Sequence, residues 1–237
     1  NKAQTNFVFM TETWKNAGVV THQLKQVVRQ QDSLFAGFLN NVRQGIWTAD
    51  MQPIVDTAMS KPKPKSGVVS LVPTNREADS INQRQMAALT TQEFVFTAYD
   101  RNPNKFDPAT KSWVEDKGYW DKNVLVEKTL KLKVGTQVIC LLNHDGLVNG
   151  DTGIVEQIDD TQQAVLVNFN RVGLKWVAPE KFHQGQKDIE FRLQIPLKTA
   201  WAITIHKSQG MTLDSAIISA GAIFTDGQCY VCLSRVR

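Results

Sequence analysis

Hydrophobic and polar positions along the first third of the chain alternate in the manner of strands followed by helices. Phe7–Met10 is an apolar run of strand length. Further on, apolar side chains recur at helical spacing after a polar N-cap at Asp32 or Ser33, and Gly45 lies just past their end. The pattern predicts a strand and then a helix whose apolar stripe is Leu34, Phe35, Phe38, Leu39 and Val42.

A second strand and helix follow an exposed linker. Lys61–Gly67 alternates lysine with proline, which excludes a helix there. Val68–Pro73 has the composition of a buried strand, and Thr74 and Glu77 stand at capping-box spacing for a helix that continues to Leu89. Strand, turn and capped helix in this order are typical of an α/β layer fold.

The middle of the chain changes character. Residues 98–122 are rich in Asp, Asn, Lys and Pro, and we expect them to form an irregular excursion. After them, short apolar segments separated by Gly, Asn and Asp turns indicate four or five β-strands, which predicts a small barrel. The predicted strands include Thr136–Leu142, Thr152–Ile158, Ala164–Phe169 and Leu174–Val177.

Helix and strand signals return at the end of the chain. Ala200–Gln209 is predicted to be helical and to stop at Gly210, and Ser215–Ser219 is predicted to be a strand. Thr225 and Gln228 have the spacing of a capping box for a last helix. The chain therefore predicts an α/β domain interrupted by a β-barrel insert.

Composition narrows the class of protein. The chain has 237 residues, 42% of them hydrophobic, with 27 Lys+Arg against 23 Asp+Glu and a formal charge of +4. No apolar run approaches the roughly 20 residues that a membrane helix needs. Three cysteines are too few for a disulfide framework, so a reducing compartment is expected. The sequence does not begin with Met and ends inside a predicted helix, which suggests a piece of a longer protein.

Two segments near the end carry the most specific patterns. Leu197–Asp214 reads LKTAWAITIHKSQGMTLD, and Gly227–Arg237 reads GQCYVCLSRVR. They closely resemble motifs V and VI of the Pif/RecD-type superfamily-one DNA helicases, with the best fit to the eukaryotic Pif helicases. Weaker matches occur in the family's order upstream. They are Val27–Gln30 for motif IV, Pro73–Asn75 for the turn after it, and Lys133–Val138 with Gly146–Gly153 for the entry to the insert.

The resemblance implies a fold and a division of the chain. We expect the second RecA-like domain of a P-loop NTPase, with a parallel sheet and an inserted small SH3-like β-barrel. Its first part is expected at residues 1–130, the barrel at 131–190 and its second part at 191–237. An intracellular location would follow, in the nucleus or mitochondrion of a eukaryote or in the cytoplasm for a bacterial or viral protein.

The resemblance also implies an ATP-dependent 5′→3′ DNA helicase and assigns site residues. Arg29 and Arg235 would sense the γ-phosphate of ATP, since phosphoryl transfer spreads negative charge that the guanidinium fork stabilises. Gln30 and Gly210 would join them at the nucleotide. Single-stranded DNA would be bound by Thr74, Asn75, His206, Lys207, Ser208, Gln209 and Thr212.

Each assignment has a structural alternative. An arginine such as Arg235 often forms only a surface ion pair, and a lone histidine such as His206 is often only a hydrogen-bonded structural residue. Thr74 could do no more than cap its helix, although an N-cap also presents backbone amides to an anion.

The cysteines and several aromatic residues also have ordinary structural explanations. Cys229 and Cys232 lack the further ligands of a zinc site, and we expect no metal there. The aromatic residues Trp113, Tyr119 and Trp120 could stack on bases, but such side chains more often pack a loop onto the body of the protein.

The phosphate-binding motif Gly-x-x-x-x-Gly-Lys-Ser/Thr does not occur in this sequence, in which no glycine is followed by lysine. We therefore expect ATP with Mg²⁺ to be held mainly by an N-terminal RecA-like domain of the same protein, and this chain alone to be inactive. The alternative is an ATPase-dead module that uses the helicase fold to dock nucleic acid or protein.

Overall fold

The computed structural model describes residues 7–22, 30, 32–62, 67–183, 190–219, 221, 223 and 227–236. Short 3₁₀ turns occupy Val8–Met10 and Ala49–Met51. The helices are α1 (Glu12–Asn16), α2 (Ser33–Gln44), α3 (Gln52–Ser60), α4 (Asn75–Ala88), α5 (Tyr119–Asn123) and α6 (Gln228–Leu233). The strands are β1 (Val69–Val72), β2 (Glu93–Thr97), β3 (Tyr99–Arg101), β4 (Asn104–Asp107), β5 (Ser112–Glu115), β6 (Thr129–Lys133), β7 (Gln137–Cys140), β8 (Thr152–Asp159), β9 (Ala164–Phe169), β10 (Gly173–Val177), β11 (Glu180–Phe182), β12 (Phe191–Gln194), β13 (Leu197–Thr199), β14 (Ala202–Thr204) and β15 (Ala216–Ile218).

A parallel sheet in the order β14-β1-β15 joins residues 69–72 to two strands near the end of the chain. Ser70 on the central strand pairs with Ala202 on one side and with Ile217 on the other. Leu71 and Val72 of the same strand point to opposite faces and are both fully buried, as expected for a strand covered on both faces. The predicted α/β layer is confirmed in this part of the chain.

Helix α4 packs on the β14 side of this sheet. Thr74 caps it, because the hydroxyl oxygen accepts a hydrogen bond from the backbone N–H of Glu77 at 3.3 Å. Further along the helix, the Asn82 side chain both donates to the carbonyl of Ala202 (2.8 Å) and accepts from its N–H (2.9 Å). This pair of bonds fixes the helix to the edge strand of the sheet.

The predicted β insert is an antiparallel sheet in the order β10-β9-β8-β7-β13. The four strands predicted from turn spacing are present within it, although β10 begins at Gly173. No closed barrel is found, because no ladder joins the two edge strands among the residues that the structure describes, and the small SH3-like barrel stays a prediction. Strand lengths and turns do not determine whether the edges of a sheet meet.

Strands from outside the predicted insert complete its core. Phe96 of β2 and Leu130 of β6 are almost fully buried in the same apolar cluster as Val155 and Val167. The division into 1–130, 131–190 and 191–237 stays a prediction, and this packing associates part of its first segment with the insert.

Residues 98–122 are regular rather than irregular, which corrects the prediction. They contain β3, the β4–β5 hairpin and the start of α5. Arg192 of β12, 1% exposed, holds this segment by donating to both carboxylate oxygens of Asp100 (2.7 and 2.8 Å) and to Asp121 (2.6 Å). Sequence patterns missed the order because the anchoring arginine lies about 70 to 90 residues further along the chain.

Two predicted elements have the wrong type. Phe7–Met10 forms a 3₁₀ turn instead of a strand. Ala200–Gln209 forms strand β14 and a series of turns instead of a helix, because Ile203 and Thr204 are β-branched and Ala202–Thr204 is held by the ladder to β1.

The prediction for α2 is confirmed, with Asp32 accepting from Leu34 N–H at 2.8 Å and Gly45 in the left-handed conformation at its end. The predicted cap at Thr225 and part of the linker, residues 63–66, lie outside the described residues.

Candidate nucleic-acid and nucleotide interface

Two predicted DNA-binding segments emerge from the same edge of the parallel sheet. Val72 and Thr204 are register partners at the carboxyl ends of β1 and β14. Just beyond them, Ile205 N–H donates to the carbonyl of Val72 at 2.9 Å. Thr74 and His206 follow these positions along the chain, so the structure places the start of α4 beside the turn after β14. Ligand sites in open parallel sheets typically lie at this edge.

The start of α4 is open to solvent. Thr74 and Asn75 are exposed, and the first backbone N–H groups of a helix have no partner within the helix. One of these groups, on Glu77, is taken by the Thr74 hydroxyl. The helix dipole adds partial positive charge at this end. The capping role of Thr74 is confirmed, and the geometry also suits an anion.

The turn after β14 divides its side chains between the core and the surface. Ser208 is fully buried, and its hydroxyl donates to the carbonyl of Ile205 at 2.7 Å. His206 and Gln209 are exposed, and Lys207 is half-buried with its backbone N–H donating to Thr204 Oγ1 at 3.2 Å. The hydroxyl of Ser208 therefore stabilises the turn, while its neighbours carry the polar surface.

Two of the predicted nucleotide residues, Gln30 and Arg235, lie near the end of the last helix. Gln30 is buried and donates from Nε2 to the carbonyl of Val236 at 3.1 Å. Arg235 lies in the turn just after α6, and its side chain folds back on that helix, donating from Nε to the carbonyl of Val231 (3.0 Å) and from Nη2 to Ser234 Oγ (2.9 Å). The structure thus brings Gln30 and Arg235 together. Arg29 lies outside the described residues.

Residues 210–215 connect the turn after β14 to strand β15 and link the candidate DNA-binding residues to the candidate nucleotide residues. We call this segment the connection. Gly210, at φ +86°, ends the turn at the carboxyl edge, and the chain then runs back toward the start of β15. On the way, Leu213 N–H donates to the carbonyl of Arg235 at 2.9 Å, and Leu213 forms a parallel bridge with Val236. Thr212, a predicted DNA residue, lies half-buried in this connection and away from the turn itself.

Sequence reasoning missed an ion pair beside this segment. Asp151 and Arg171 line a small cleft together with Thr212 and Asp214. The hydrogen bonds to Asp151 raise the pKa of the Arg171 guanidinium above its usual value, and the charge of Asp214 raises it further. The Asn149-Gly150-Asp151 turn was visible in the sequence, but no spacing rule connects it to an arginine 20 residues later.

The cysteine and aromatic candidates differ in burial, and Cys229 is exposed although both cysteines were expected to be small buried residues. Cys232 is buried and donates from its thiol to the carbonyl of Cys229 at 3.0 Å, and burial raises the pKa of Cys232 to about 11. No cluster of three metal-ligating side chains occurs in the part of the chain that is described. Trp120 is 1% exposed and donates to the carbonyl of Arg101 at 3.2 Å, whereas Trp113 is 71% exposed.

Comparisons with known proteins bear on the same segments. The family model described as DNA helicase Pif1, 2B domain, matches residues 120–158. The ATP-dependent DNA helicase PIF1 of Homo sapiens is 32% identical over 243 residues, which cover 98% of this chain and 36% of that protein. The chain therefore spans about a third of the length of this curated relative.

Two solved structures are similar in fold and sequence. The Pif1 helicase from Candida albicans has a TM-score of 0.64 at 31% identity, over 97% of this chain and 57% of that one. The Pif1 helicase from Bacteroides in complex with ADP-AlF3 and single-stranded DNA has a TM-score of 0.54 at 27% identity, over 90% of this chain and 49% of that one.

The chain has mixed α/β content with a parallel sheet, and the solved structures similar to it are Pif1 helicases. Within that class, the resemblance to the Pif helicases that the motifs indicate is confirmed by similarity along nearly the whole chain. No helix among the described residues is long and apolar enough to cross a membrane.

Proposed function

We propose that this chain is the C-terminal motor half of a Pif1-type ATP-dependent 5′→3′ DNA helicase. It binds single-stranded DNA at the carboxyl edge of its parallel sheet and presents arginines to ATP. A RecA-like domain N-terminal to this chain holds the phosphates and Mg²⁺. The observation that carries the proposal is the pairing of Val72 with Thr204, which sets the start of α4 beside the 205–210 turn.

The DNA part of the proposal depends on phosphate chemistry. Backbone amides at the start of α4 and the charge of Lys207 suit a phosphate backbone and carry no base specificity. His206 and Gln209 supply further exposed polar groups in the same turn. The Bacteroides relative, similar over 90% of this chain, was solved with single-stranded DNA, which supports the assignment.

The nucleotide part of the proposal depends on Arg235. The backbone at this position is held on two sides, because Leu213 N–H donates to the carbonyl of Arg235 and Gln30 donates to the carbonyl of the next residue, Val236. A guanidinium at this place can stabilise the charge that develops when the γ-phosphate is transferred. Arg29 is proposed as the second arginine, from its motif alone. The human relative is named an ATP-dependent helicase, in agreement with this role.

Substitution of Arg235 tests the proposal. In a protein that joins this chain to its phosphate-holding domain, we expect Arg235→Ala to lower DNA-stimulated ATP turnover by at least about 1,000-fold, the usual effect of losing such an arginine. Affinity for single-stranded DNA should change by less than about threefold, since Arg235 makes its contacts at the other end of the connection. The measurement is steady-state phosphate release together with DNA-binding anisotropy.

Exposed Arg84 on α4 provides the matched control, and Arg84→Ala should leave turnover unchanged. Wild-type turnover in Arg235→Ala would refute the arginine role. ATP hydrolysis by the pure 237-residue chain would refute the need for a second domain. DNA binding without any turnover in the joined wild-type protein would favour the docking-module alternative.

A further inference from the structure

The turn that leads from β7 to β8 packs tightly against the connection between the candidate sites. Gly150, at φ +108°, faces the backbone of Thr212. A Cβ atom at this glycine would lie 2.7 Å from the Thr212 carbonyl oxygen and 3.1 Å from its nitrogen. Real Cβ atoms do not approach backbone this closely, so the contact requires glycine.

A buried carboxylate keeps this turn in shape. The Asp151 side chain, 7% exposed, accepts from Val148 N–H at 2.8 Å and from Arg171 in bidentate fashion, with Nε at 2.8 Å and Nη2 at 2.6 Å. Nη2 of Arg171 also donates to the carbonyl of Gly146 at 2.6 Å. Such a fork is among the stronger side-chain interactions and fixes both partners geometrically.

Thr212, on the other side of this contact, is linked in turn to the end of the last helix. Met211 and Leu213, on either side of Thr212, are 2% and 1% exposed and have little room to move. Leu213 N–H donates to the carbonyl of Arg235 at 2.9 Å. A displacement of Thr212 by the turn would therefore be transmitted to Arg235 through one hydrogen bond and two packed side chains.

We propose that the 146–151 turn, which the Asp151–Arg171 ion pair stabilises, holds Thr212 in place and thereby sets the position of Arg235. Gly150, Asp151 and Arg171 are positioning residues that act on the predicted ATP arginine from the β insert. The consequence for ATP hydrolysis rests on the proposed function, whereas the structural coupling does not.

Gly150→Ala in the 237-residue chain tests the coupling directly. We expect amide exchange at Leu213, followed by nuclear magnetic resonance, to accelerate by about tenfold or more, because its bond to Arg235 opens more often. Gly173→Ala is the matched control: Gly173 also has positive φ (+73°) but open space around its Cβ position, so Leu213 exchange should change less than about twofold. Unchanged exchange at Leu213 in Gly150→Ala, or equal acceleration at every amide of the chain, would overturn the proposal.

The ion pair provides a second set of variants that avoids the backbone strain at Gly150. Asp151→Asn and Arg171→Gln should each accelerate Leu213 exchange, and the double variant should add little to either, since the two side chains act as one unit. Fully additive effects, or no effect of either substitution, would contradict this role of the ion pair.

The kinetic consequence separates positioning from general stability. In the protein joined to its phosphate-holding domain, Gly150→Ala should lower kcat for ATP by about tenfold and leave KM within about twofold, as expected for an interaction made in the transition state. Wild-type kcat in an active protein would overturn the link to Arg235. If the joined wild-type protein has no ATPase, the proposed function fails and the exchange measurement still decides the coupling.

Discussion

Two cationic regions of this protein illustrate opposite uses of charge. Arg192 is 1% exposed, and two carboxylates and a backbone carbonyl take up its donors. Lys207 is half-buried at the carboxyl edge of the parallel sheet, beside the exposed side chains of His206 and Gln209. The charge of Arg192 holds remote segments of the chain together. The charge of Lys207 lies where a ligand can reach it, which separates a structural cation from a candidate binding cation.

The largest effect is expected where the buried cation is removed. Arg192→Ala would leave Asp100, 8% exposed, with the half-exposed Lys128 ammonium at 3.9 Å as its remaining charged partner among the described residues. We expect a loss of about 3 kcal/mol in the free energy of unfolding, because most of the charge compensation of a buried carboxylate is removed. Urea unfolding measures this loss. Lys131→Ala serves as control, because the Lys131–Glu93 pair is exposed and should contribute less than about 1 kcal/mol. A loss of less than about 1 kcal/mol in Arg192→Ala, as expected for the Lys131→Ala control, would show that the network is not structural.

The converse result is expected at the sheet edge. Lys207→Ala should reduce affinity for single-stranded DNA several-fold and lower the slope of log affinity against log salt by about 0.7, the value for one lost phosphate contact on a single strand. The free energy of unfolding should stay within about 0.5 kcal/mol of wild type. A salt titration by fluorescence anisotropy, with Lys131→Ala as the control, checks both parts. An unchanged slope would remove Lys207 from the interface.

The same contrast explains what the sequence could predict. Local signals were sufficient for α2, where Asp32 and Gly45 mark the ends, and for the start of α4 at Thr74. They failed at β14, where a partner strand 130 residues away in sequence overrides local pattern, and in residues 98–122, where order depends on Arg192. Long-range pairing is invisible to spacing rules, so elements that rely on it were predicted with the wrong type or as irregular.

The candidate site also contains residues that local motifs indicate and residues that only the folded chain brings together. Family motifs indicated Thr74, His206 and Lys207, and the strand register explains why they converge. The motifs also indicated Ser208, whose buried hydroxyl serves the turn. They gave no indication of Asp151 and Arg171, which become neighbours of Thr212 only through the folding of the β insert.

Substitutions of Thr74 test whether the start of α4 and the adjacent turn hold the phosphates of single-stranded DNA. Aspartate and asparagine both cap helices well, so Thr74→Asp and Thr74→Asn should each stay within about 0.5 kcal/mol of wild-type stability. They differ by one negative charge at the proposed phosphate position. We expect Thr74→Asp to bind an oligothymidylate at least about fivefold more weakly than Thr74→Asn at low salt, and the difference to shrink as salt is raised. Equal affinities of the two variants across the salt range would contradict this expectation.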